Sequence, residues 1–314
     1  MNIVEFLTPT NLKQEKEHFF SSSTYNPQFT YAWGRDDIDQ WIKKTRRYKS
    51  LINAITDQDY DQIITEAKKV FSTDISDAYL KIARDIILHT PSYSNTFGLQ
   101  ELINHFKAIL KKFNLNYSIE ICDLGGFNVR PQFHTHCILI SYDVHLQFFS
   151  VDGLVKHEMS HVLRFENGEF NGIKRSSGYL PTEEALASYL QDYRGEYGKV
   201  SLFQHAAEYA VTEVGLRGSL RDMVNFLCEI GFDREHAWKR AIRHKYGFMD
   251  TSRPGDIMKP SMYFHHEQKV KHLSDGEKLR LMVGKIRLDE LSTYSQYAGK
   301  IPQKVLCEYY GLEA

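Results

Sequence analysis

The chain has few cysteines, no long apolar run and almost no net charge, and each shortage excludes a class of protein. Its four cysteines, at positions 122, 137, 228 and 307, are far apart and form no CxxC pair, which argues against a cysteine-based metal site and against a disulfide framework. The apolar runs are far shorter than the roughly 20 residues that a membrane-spanning helix needs. Met1–Pro9 lacks the basic and apolar segments of a signal peptide.

The charge balance argues against a general nucleic-acid binder. Lys and Arg number 39 and Asp and Glu 40, so the net charge is −1 over 314 residues, and there is no overall positive field to hold a phosphate backbone. A hydrophobic content of 42% provides a large core and argues against disorder. We expect a globular cytoplasmic protein without nucleic-acid or membrane partners.

The hydrophobic pattern predicts an α+β protein that is predominantly helical, with a small β-sheet before a central helix. No repeat and no Gly/Ser/Pro-rich linker divides the chain, so we expect one domain over 36–314 preceded by an N-terminal extension over 1–35. Alternation predicts a strand at 117–122, and a short apolar run predicts another at 137–140, with a turn at Leu124–Phe127 between them. Helical spacing predicts the helices, which lie near 38–42, 55–71, 78–88, 98–113, 150–165, 182–195, 201–213, 218–230 and 234–246, with two more after Ser274.

An HExxH motif lies in the predicted central helix. His157 and His161 are four residues apart, so on a helix both imidazoles face the same side and can reach one Zn²⁺ ion. Glu158, next to the first ligand, is placed to take a proton from the attacking water. Ser150 is a suitable N-cap for this helix. The alternative is that the two histidines lie on the surface of an amphipathic helix.

A catalytic zinc needs a third protein ligand, and the following helix supplies a candidate. The metzincin pattern requires Gly and His where this chain has Arg164 and Asn167, so that class is excluded. In gluzincins the ligand is a Glu from a later helix, and Glu184 fits this role after the helix-start signal of Pro181. Glu183 would then support a ligand or remain solvated. Alternatively, both glutamates only stabilise the first helical turn.

Five segments, in the same order, are similar to motifs of one known family. They are YNPQFTY at 25–31, the zinc helix with HVLRFENG at 161–168, TEEALA at 182–187, YGFMDTSRPG at 246–255 and GKIRLDEL at 284–291. With these motifs the chain resembles, over roughly residues 24–306, the microtubule-associated tyrosine carboxypeptidases and their bacterial relatives with a QEGLA motif. The resemblance implies a zincin-like (gluzincin) metallopeptidase fold, with the zinc site within 150–190.

Several positions depart from the family pattern. The family often has HExxxH where this chain has HExxH, and Ala185 replaces a Gly. Met258–Pro260 replaces a TKD-like triplet, and His266 stands where the family tends to have Gly. These later changes fall in the segment 239–267, which the resemblance assigns to the substrate rim.

The activity that the resemblance implies is zinc-dependent removal of a C-terminal residue, typically tyrosine, from a peptide or protein that can carry an acidic tail. Cations would neutralise the terminal carboxylate of the substrate, and a hydroxyl or imidazole would stabilise the oxyanion. Lys259 and Tyr263 match the family's post-DTS segment and are favoured for these tasks. Arg243 and Arg130 are further candidates for substrate binding. Each could instead be an ordinary surface or ion-paired residue.

Other signals leave alternatives open. The basic run Lys43–Lys49 could steer acidic substrates or could be a solvated helix face. A second basic stretch, Lys239–Lys245, has a better claim to an anionic substrate. His134 and His136 would share one side of a strand, as a metal pair or as structural residues. The same zinc chemistry would also serve an aminopeptidase or an endopeptidase, and an idle regulator could keep the fold.

Overall fold

A computed structural model describes residues 6–44, 46–90, 98–124, 128–142, 144 and 150–313, with the backbone alone at 35–37 and 44. Its contacts separate two compact units, one formed by Met1–Leu88 with His205–His265 and the other by His89–Gln204 with His266–Ala314. We call them the DTS unit and the HExxH unit, after the motif that each contains. The division into an N-terminal extension and a single domain stays a prediction.

The HExxH unit contains a small mixed sheet. Its strands are β1 (Ser118–Cys122), β2 (Val129–Gln132) and β3 (Cys137–Ser141). Strand β3 lies in the middle, parallel to β1 and antiparallel to β2. Ile138 and Ile140 of β3 are fully buried, which explains why this strand has the continuous apolar pattern of a central strand. Of the turn predicted at Leu124–Phe127, the last three residues lie outside the described part of the chain.

The helices of the HExxH unit, numbered along the chain, include α6 (Leu99–Lys112), α7 (Val151–Asn171), α8 (Leu180–Arg194), α13 (Asp275–Leu281) and α14 (Gln303–Tyr310). Ser150 caps α7 as predicted, since its hydroxyl oxygen accepts the Gly153 N–H at 2.8 Å. The helix runs six residues beyond the predicted end, because nothing breaks it before Gly172, which is left-handed at φ 65° and suits a helix C-cap.

Helix α8 begins two residues earlier than predicted. Tyr179 is its N-cap residue and Pro181 lies in its first turn, where a missing N–H costs nothing. Thr182, predicted to mark the start, is buried and accepts the Leu288 N–H at 2.9 Å instead. Helix α8 is therefore tied at its first turn to the segment that follows α13.

Within its described residues the DTS unit is mostly helical, and its segments 22–34 and 245–261 are irregular apart from one antiparallel bridge between Gln28 and Asp250. Its helices are α1 (Leu12–Ser21), α2 (Arg35–Lys44), α3 (Lys49–Thr56), α4 (Tyr60–Phe71), α5 (Asp77–His89), α9 (Gly198–Arg217), α10 (Leu220–Glu229), α11 (Arg234–His244) and α12 (Met262–Lys271). The unit boundaries fall within α5, α9 and α12. Helix α12 was not among the predicted helices, because its sequence MYFHHEQKVK is apolar on several sides and gives no clear amphipathic period.

Two of the segments that carry the family resemblance lie side by side in the DTS unit. The Phe29 N–H donates to the Met249 carbonyl at 2.7 Å, and the Thr251 hydroxyl donates to the Pro27 carbonyl at 2.8 Å. The Tyr31 hydroxyl accepts the N–H of Gly247 at 2.9 Å. The segment 25–31 is thus built into the unit by backbone pairing with 247–251.

The protein is predominantly helical with one three-stranded sheet in its described part, which confirms the α+β class. In the parts of the chain that the structure covers, no helix has both the length and the apolar character to cross a bilayer.

Candidate metal centre

Two helices of the HExxH unit bring three metal-ligating side chains together. His157 and His161 lie one turn apart on α7, with ring centroids separated by 5.0 Å. An Oε2 atom of Glu184, on α8, lies 3.6 Å from Nε2 of His157 and 3.7 Å from Nε2 of His161. All three ligand atoms lie within 4.8 Å of one another. This is the set that the sequence predicted to hold zinc.

Close contact between the backbones of α7 and α8 allows this convergence. A Cβ added to Gly195, just after α8, would lie 2.8 Å from the Gly153 Cα and 2.3 Å from the Gln191 carbonyl oxygen. Both distances are too short for a real side chain, so a glycine is required there. Gly153 lies in the first turn of α7, so the two helices meet one turn before the histidines.

The adjacent carboxylate, Glu183, holds His161. Its Oε1 lies 3.0 Å from Nδ1 of His161, and its Oε2 accepts from Arg164 at 3.3 Å. Lys285 forms an ion pair with the same carboxylate. Burial alone would raise the pKa of Glu183, but Lys285, His161 and Arg164 outweigh it and hold this pKa well below its ordinary value. Glu183 is buried, so its reading as a solvated residue in the first helical turn was wrong.

Arg164 links α7, the helix of the two histidines, to the end of α13 and the segment after it. It is completely buried, and its guanidinium donates to the carbonyls of Leu281, Gly284 and Ile286 at 2.8 to 3.0 Å. The sequence pattern gave Arg164 no role beyond excluding a metzincin, and it gave Lys285 no role at all. The one sequence signal for Lys285 is its place within the matched segment GKIRLDEL.

The donor set is compatible with a divalent ion such as Zn²⁺. An ionised Glu183 can only accept a hydrogen bond, so His161 donates to it from Nδ1 and keeps the lone pair on Nε2. Nδ1 of His157 is buried and has no hydrogen-bond partner among the described residues. Two imidazole nitrogens and one carboxylate oxygen are the protein ligands typical of catalytic zinc sites, whose fourth position is taken by water or substrate.

Glu158 lies on α7 between the two histidines and is partly buried. Burial raises its pKa, with Glu184 adding to the effect and His157 and His161 opposing it. Burial lowers the pKa of His157, but Glu184, Glu158 and Asp192 outweigh it and raise this pKa above its ordinary value. The two rings therefore face a strongly negative set of carboxylates, which a cation would neutralise.

The predicted substrate-binding residues are divided between the two units. Arg130 is half-buried on β2 of the HExxH unit, opposite Leu139 of β3. Arg243, Lys259 and Tyr263 belong to the DTS unit. The Lys259 ammonium lies 5.6 Å from the centroid of the Tyr263 ring. Their roles toward a substrate stay predictions.

The second basic stretch is largely internal. The Lys245 ammonium is buried and donates to the carbonyls of Gly215, Gly218, Arg253 and Gly255 at 2.7 to 3.3 Å. Arg240 and Arg243 both pair with the buried Glu208. The expectation that the whole stretch faces an anionic substrate was therefore wrong for Lys245, whose charge is used to hold backbone carbonyls.

The pair His134 and His136 lies in the turn between β2 and β3, not on a strand as predicted. His136 has a left-handed backbone, with φ 50°, which ends the alternation of a strand. Its Nε2 lies 3.4 Å from the Glu166 carboxylate, and its ring contacts Tyr117. In the first basic run, Lys43, Arg46, Arg47 and Lys49 are exposed, while Thr45 and the side chain of Lys44 lie outside the described residues.

Comparison with known proteins gives one distant relative. No protein-family model matches the chain. Over 307 residues the chain is 24% identical to mouse (Mus musculus) microtubule-associated tyrosine carboxypeptidase 1. The match covers 93% of this chain and 62% of the relative, so the chain spans less than two thirds of that protein's length. This similarity supports the resemblance found in the sequence motifs.

Proposed function

We propose that the protein is a zinc-dependent metallocarboxypeptidase of the gluzincin type, with His157, His161 and Glu184 as its zinc ligands. The observation that carries the proposal is the convergence of the three ligand atoms within 4.8 Å, beside a glutamate on the same helix. Carboxypeptidase specificity is supported by the distant relative, whose name states that activity. A peptide or protein C-terminus is then the substrate, and the name of the relative makes tyrosine the C-terminal residue to test first.

The residues of the chain divide the chemistry between them. A bound zinc ion supplies Lewis acidity, which polarises the scissile carbonyl and makes a water molecule more acidic. Glu158 takes a proton from the attacking water and later delivers it to the leaving amine, so one carboxylate acts first as base and then as acid. Glu183 keeps the His161 ring oriented throughout the reaction.

Residues predicted from the sequence are assigned to the two negative groups of the substrate, the terminal carboxylate and the oxyanion that forms during the reaction. Lys259, with Arg243 and Arg130 as further candidates, would pair with the terminal carboxylate, and Tyr263 would donate to the oxyanion. These assignments separate a carboxypeptidase from an aminopeptidase, which needs acidic groups to bind the substrate's terminal amine.

The test is a set of matched peptides incubated with zinc-loaded protein, with and without a chelator, and analysed by mass spectrometry. Each sequence is made with a free or amidated C-terminus and with a free or acetylated N-terminus. We expect loss of the last residue only from peptides with a free C-terminus, and no cleavage after chelation. The last residue is varied to find the preferred one.

The alternatives give different products in the same experiment. An endopeptidase cleaves peptides that are blocked at both ends, and an aminopeptidase releases the first residue from amidated peptides. An idle regulator cleaves nothing. Elemental analysis accompanies the assay, and a protein that takes up no stoichiometric zinc contradicts the proposed metal site itself.

A further inference from the structure

A completely buried histidine in the DTS unit joins two carboxylates. His244, the last residue of α11, has Nε2 at 2.8 Å from Glu208 of α9 and Nδ1 at 2.8 Å from Asp256. Arg240 and Arg243, also on α11, approach the same Glu208 carboxylate. The Thr212 hydroxyl of α9 also lies 3.4 Å from Nδ1, and Lys245, which follows His244, interacts electrostatically with Asp256.

The two carboxylate contacts favour the protonated form of this ring. An ionised carboxylate only accepts hydrogen bonds, so two carboxylates at the two ring nitrogens call for two N–H donors, which is the imidazolium form. Burial alone lowers the pKa of His244, but Asp256 and Glu208 outweigh it and raise the pKa to about 9. At neutral pH these contacts therefore favour a positively charged His244.

Asp256 connects His244 to the segment that follows, because it bonds both. Its second oxygen, Oδ1, accepts the Met258 N–H at 2.6 Å. Met258 has a φ of 60°, a left-handed conformation that a residue with a side chain adopts at a cost and keeps only where its surroundings hold it. The N–H of Ile257, between them, donates to the His244 carbonyl at 2.9 Å. Both the ring and the backbone of His244 thus hold residues 256–258.

The direction of the chain after Met258 determines the positions of Lys259 and Tyr263. The Met258 carbonyl accepts the Ser261 hydroxyl at 2.9 Å and the Met262 N–H at 3.2 Å, which starts α12. Lys259 immediately follows the left-handed residue, and Tyr263 is the second residue of α12. A change of backbone at Met258 would therefore reorient both side chains.

We propose that His244 is a positioning residue: by bonding Asp256 it fixes the left-handed turn at Met258 and so sets the positions of Lys259, assigned above to the substrate's terminal carboxylate, and of Tyr263, assigned to the oxyanion. The inference rests on the proposed function, which assigns these two residues to the substrate. His244 itself is buried and makes its contacts inside the unit.

Hydrogen exchange of the backbone amides of residues 257–263 in the full-length protein tests the anchoring directly. We expect His244→Gln to raise exchange there by about tenfold, because both donors of the Gln amide are on one nitrogen and cannot replace two ring nitrogens that bond carboxylates on different sides of the ring. Arg240→Gln is the matched control, since it also removes a partner of Glu208 but leaves Asp256 bonded. Equal exchange in the two variants would overturn the inference.

A second pair of variants covers the case in which the His244 variant folds poorly. Asp256→Asn keeps an oxygen that accepts the Met258 N–H, whereas Asp256→Ala removes it. We expect the exchange increase in 257–263 to be larger for Asp256→Ala than for Asp256→Asn. Equal increases would show that this oxygen does not hold the turn, and would overturn the proposed route.

Kinetics separate positioning from general stability. We expect His244→Gln to lower kcat/KM by about tenfold in the wild-type background and by less than about twofold in a Lys259→Ala background, because coupled residues are not additive. Equal losses in both backgrounds would overturn the inference.

A wild-type protein that hydrolyses no peptide overturns the proposed function and the catalytic part of this inference. Raised exchange in His244→Gln then supports the anchoring part alone.

Discussion

Lys285 and Glu183 are 102 residues apart in the chain and form an ion pair in which both side chains are buried. The carboxylate of this pair also bonds Nδ1 of His161, so a lysine from the segment after α13 acts on a predicted metal ligand through one intermediate. Removing one partner of a buried ion pair leaves the other charge without compensation, which typically costs several kcal/mol. A substitution of Lys285, which is not itself a predicted metal ligand, should therefore change metal binding.

We expect Lys285→Met to weaken zinc binding by about 10- to 100-fold, the usual effect of disturbing a group that orients a metal ligand. Without the ammonium, Glu183 is harder to keep ionised, and His161 loses a fixed orientation. Zinc affinity is measured by competition with a chromophoric chelator.

Lys278→Met provides the control for this prediction. The Lys278 side chain is as buried as that of Lys285, at 4% exposure each, but it bonds the Leu273 carbonyl and Asp275. We expect its substitution to lower stability without changing zinc affinity. Parallel losses of zinc affinity in the two variants would show that Lys285 acts only through the stability of the unit.

Glu158→Gln should keep zinc and lose hydrolysis. The amide fills the same space but cannot take a proton, and general acid–base groups contribute about 10²- to 10⁴-fold to rate. The measurements are zinc content by elemental analysis and kcat on the preferred peptide. Glu166→Gln, on the same helix but bonded to Tyr117 and Lys300, is the control, and we expect it to retain activity. Full activity in Glu158→Gln would remove the general-base assignment.

The sequence predicted the parts of the fold that depend on local signals. The Ser150 cap, the helix at 99–112 and the central strand β3 follow from capping and periodicity, and the structure has them. Helix α12 was missed because its apolar residues give no clear period. The histidines of 134–136 were placed on a strand because nothing in a two-residue alternation reveals the left-handed backbone of His136.

In the candidate site, too, the sequence predicted the residues with local signals and missed those that depend on tertiary packing. His157, His161 and Glu184 were predicted because a helical turn and a helix start are local features. The partners of Glu183 were not, because Arg164 and Lys285 reach it through tertiary packing, at separations of 19 and 102 residues. Lys245 shows the converse error: a basic pattern cannot distinguish a solvated ammonium from one that bonds four buried carbonyls.

The close approach of α7 and α8 gives a prediction about a glycine. We expect Gly195→Ala to destabilise the protein by about 1–3 kcal/mol, because its Cβ would overlap backbone atoms that must move. Zinc affinity should fall with it, because α7 and α8 hold the two histidines and Glu184, and a displacement of one helix against the other separates these ligands. The measurements are denaturant unfolding and zinc competition.

Gly276→Ala is the matched control for this substitution. Gly276 lies within α13, and a Cβ added there would meet nothing within 4 Å. We therefore expect this variant to gain about 0.4–1 kcal/mol of stability, as alanine does in an unstrained helix. A Gly195→Ala variant as stable as the wild type would contradict the close approach of the two helices.

The buried imidazolium of His244 predicts how the effect of its substitution depends on pH. Its pKa is about 9 in the folded protein and about 6.5 in an unfolded chain. A base whose pKa is raised by folding stabilises the protein fully below its unfolded pKa, and this contribution is lost as pH rises through the folded value. The difference in unfolding free energy between wild type and His244→Gln should therefore be largest at pH 6 and shrink by on the order of 3 kcal/mol by pH 9.5.

Lys245 changes the absolute stability in the opposite direction, which is why this prediction concerns a difference between two proteins. Burial lowers the pKa of Lys245 to about 8, from about 10.4 unfolded. The cost of burying its charge is therefore relieved as pH rises between these two values, and stability increases. Both proteins keep Lys245, and its contribution cancels when their stabilities are subtracted. Urea unfolding of each at pH 6, 7, 8, 9 and 9.5 gives the difference. A difference that stays constant with pH would mean that His244 is neutral in the folded protein, and that one of its two carboxylates carries the proton instead.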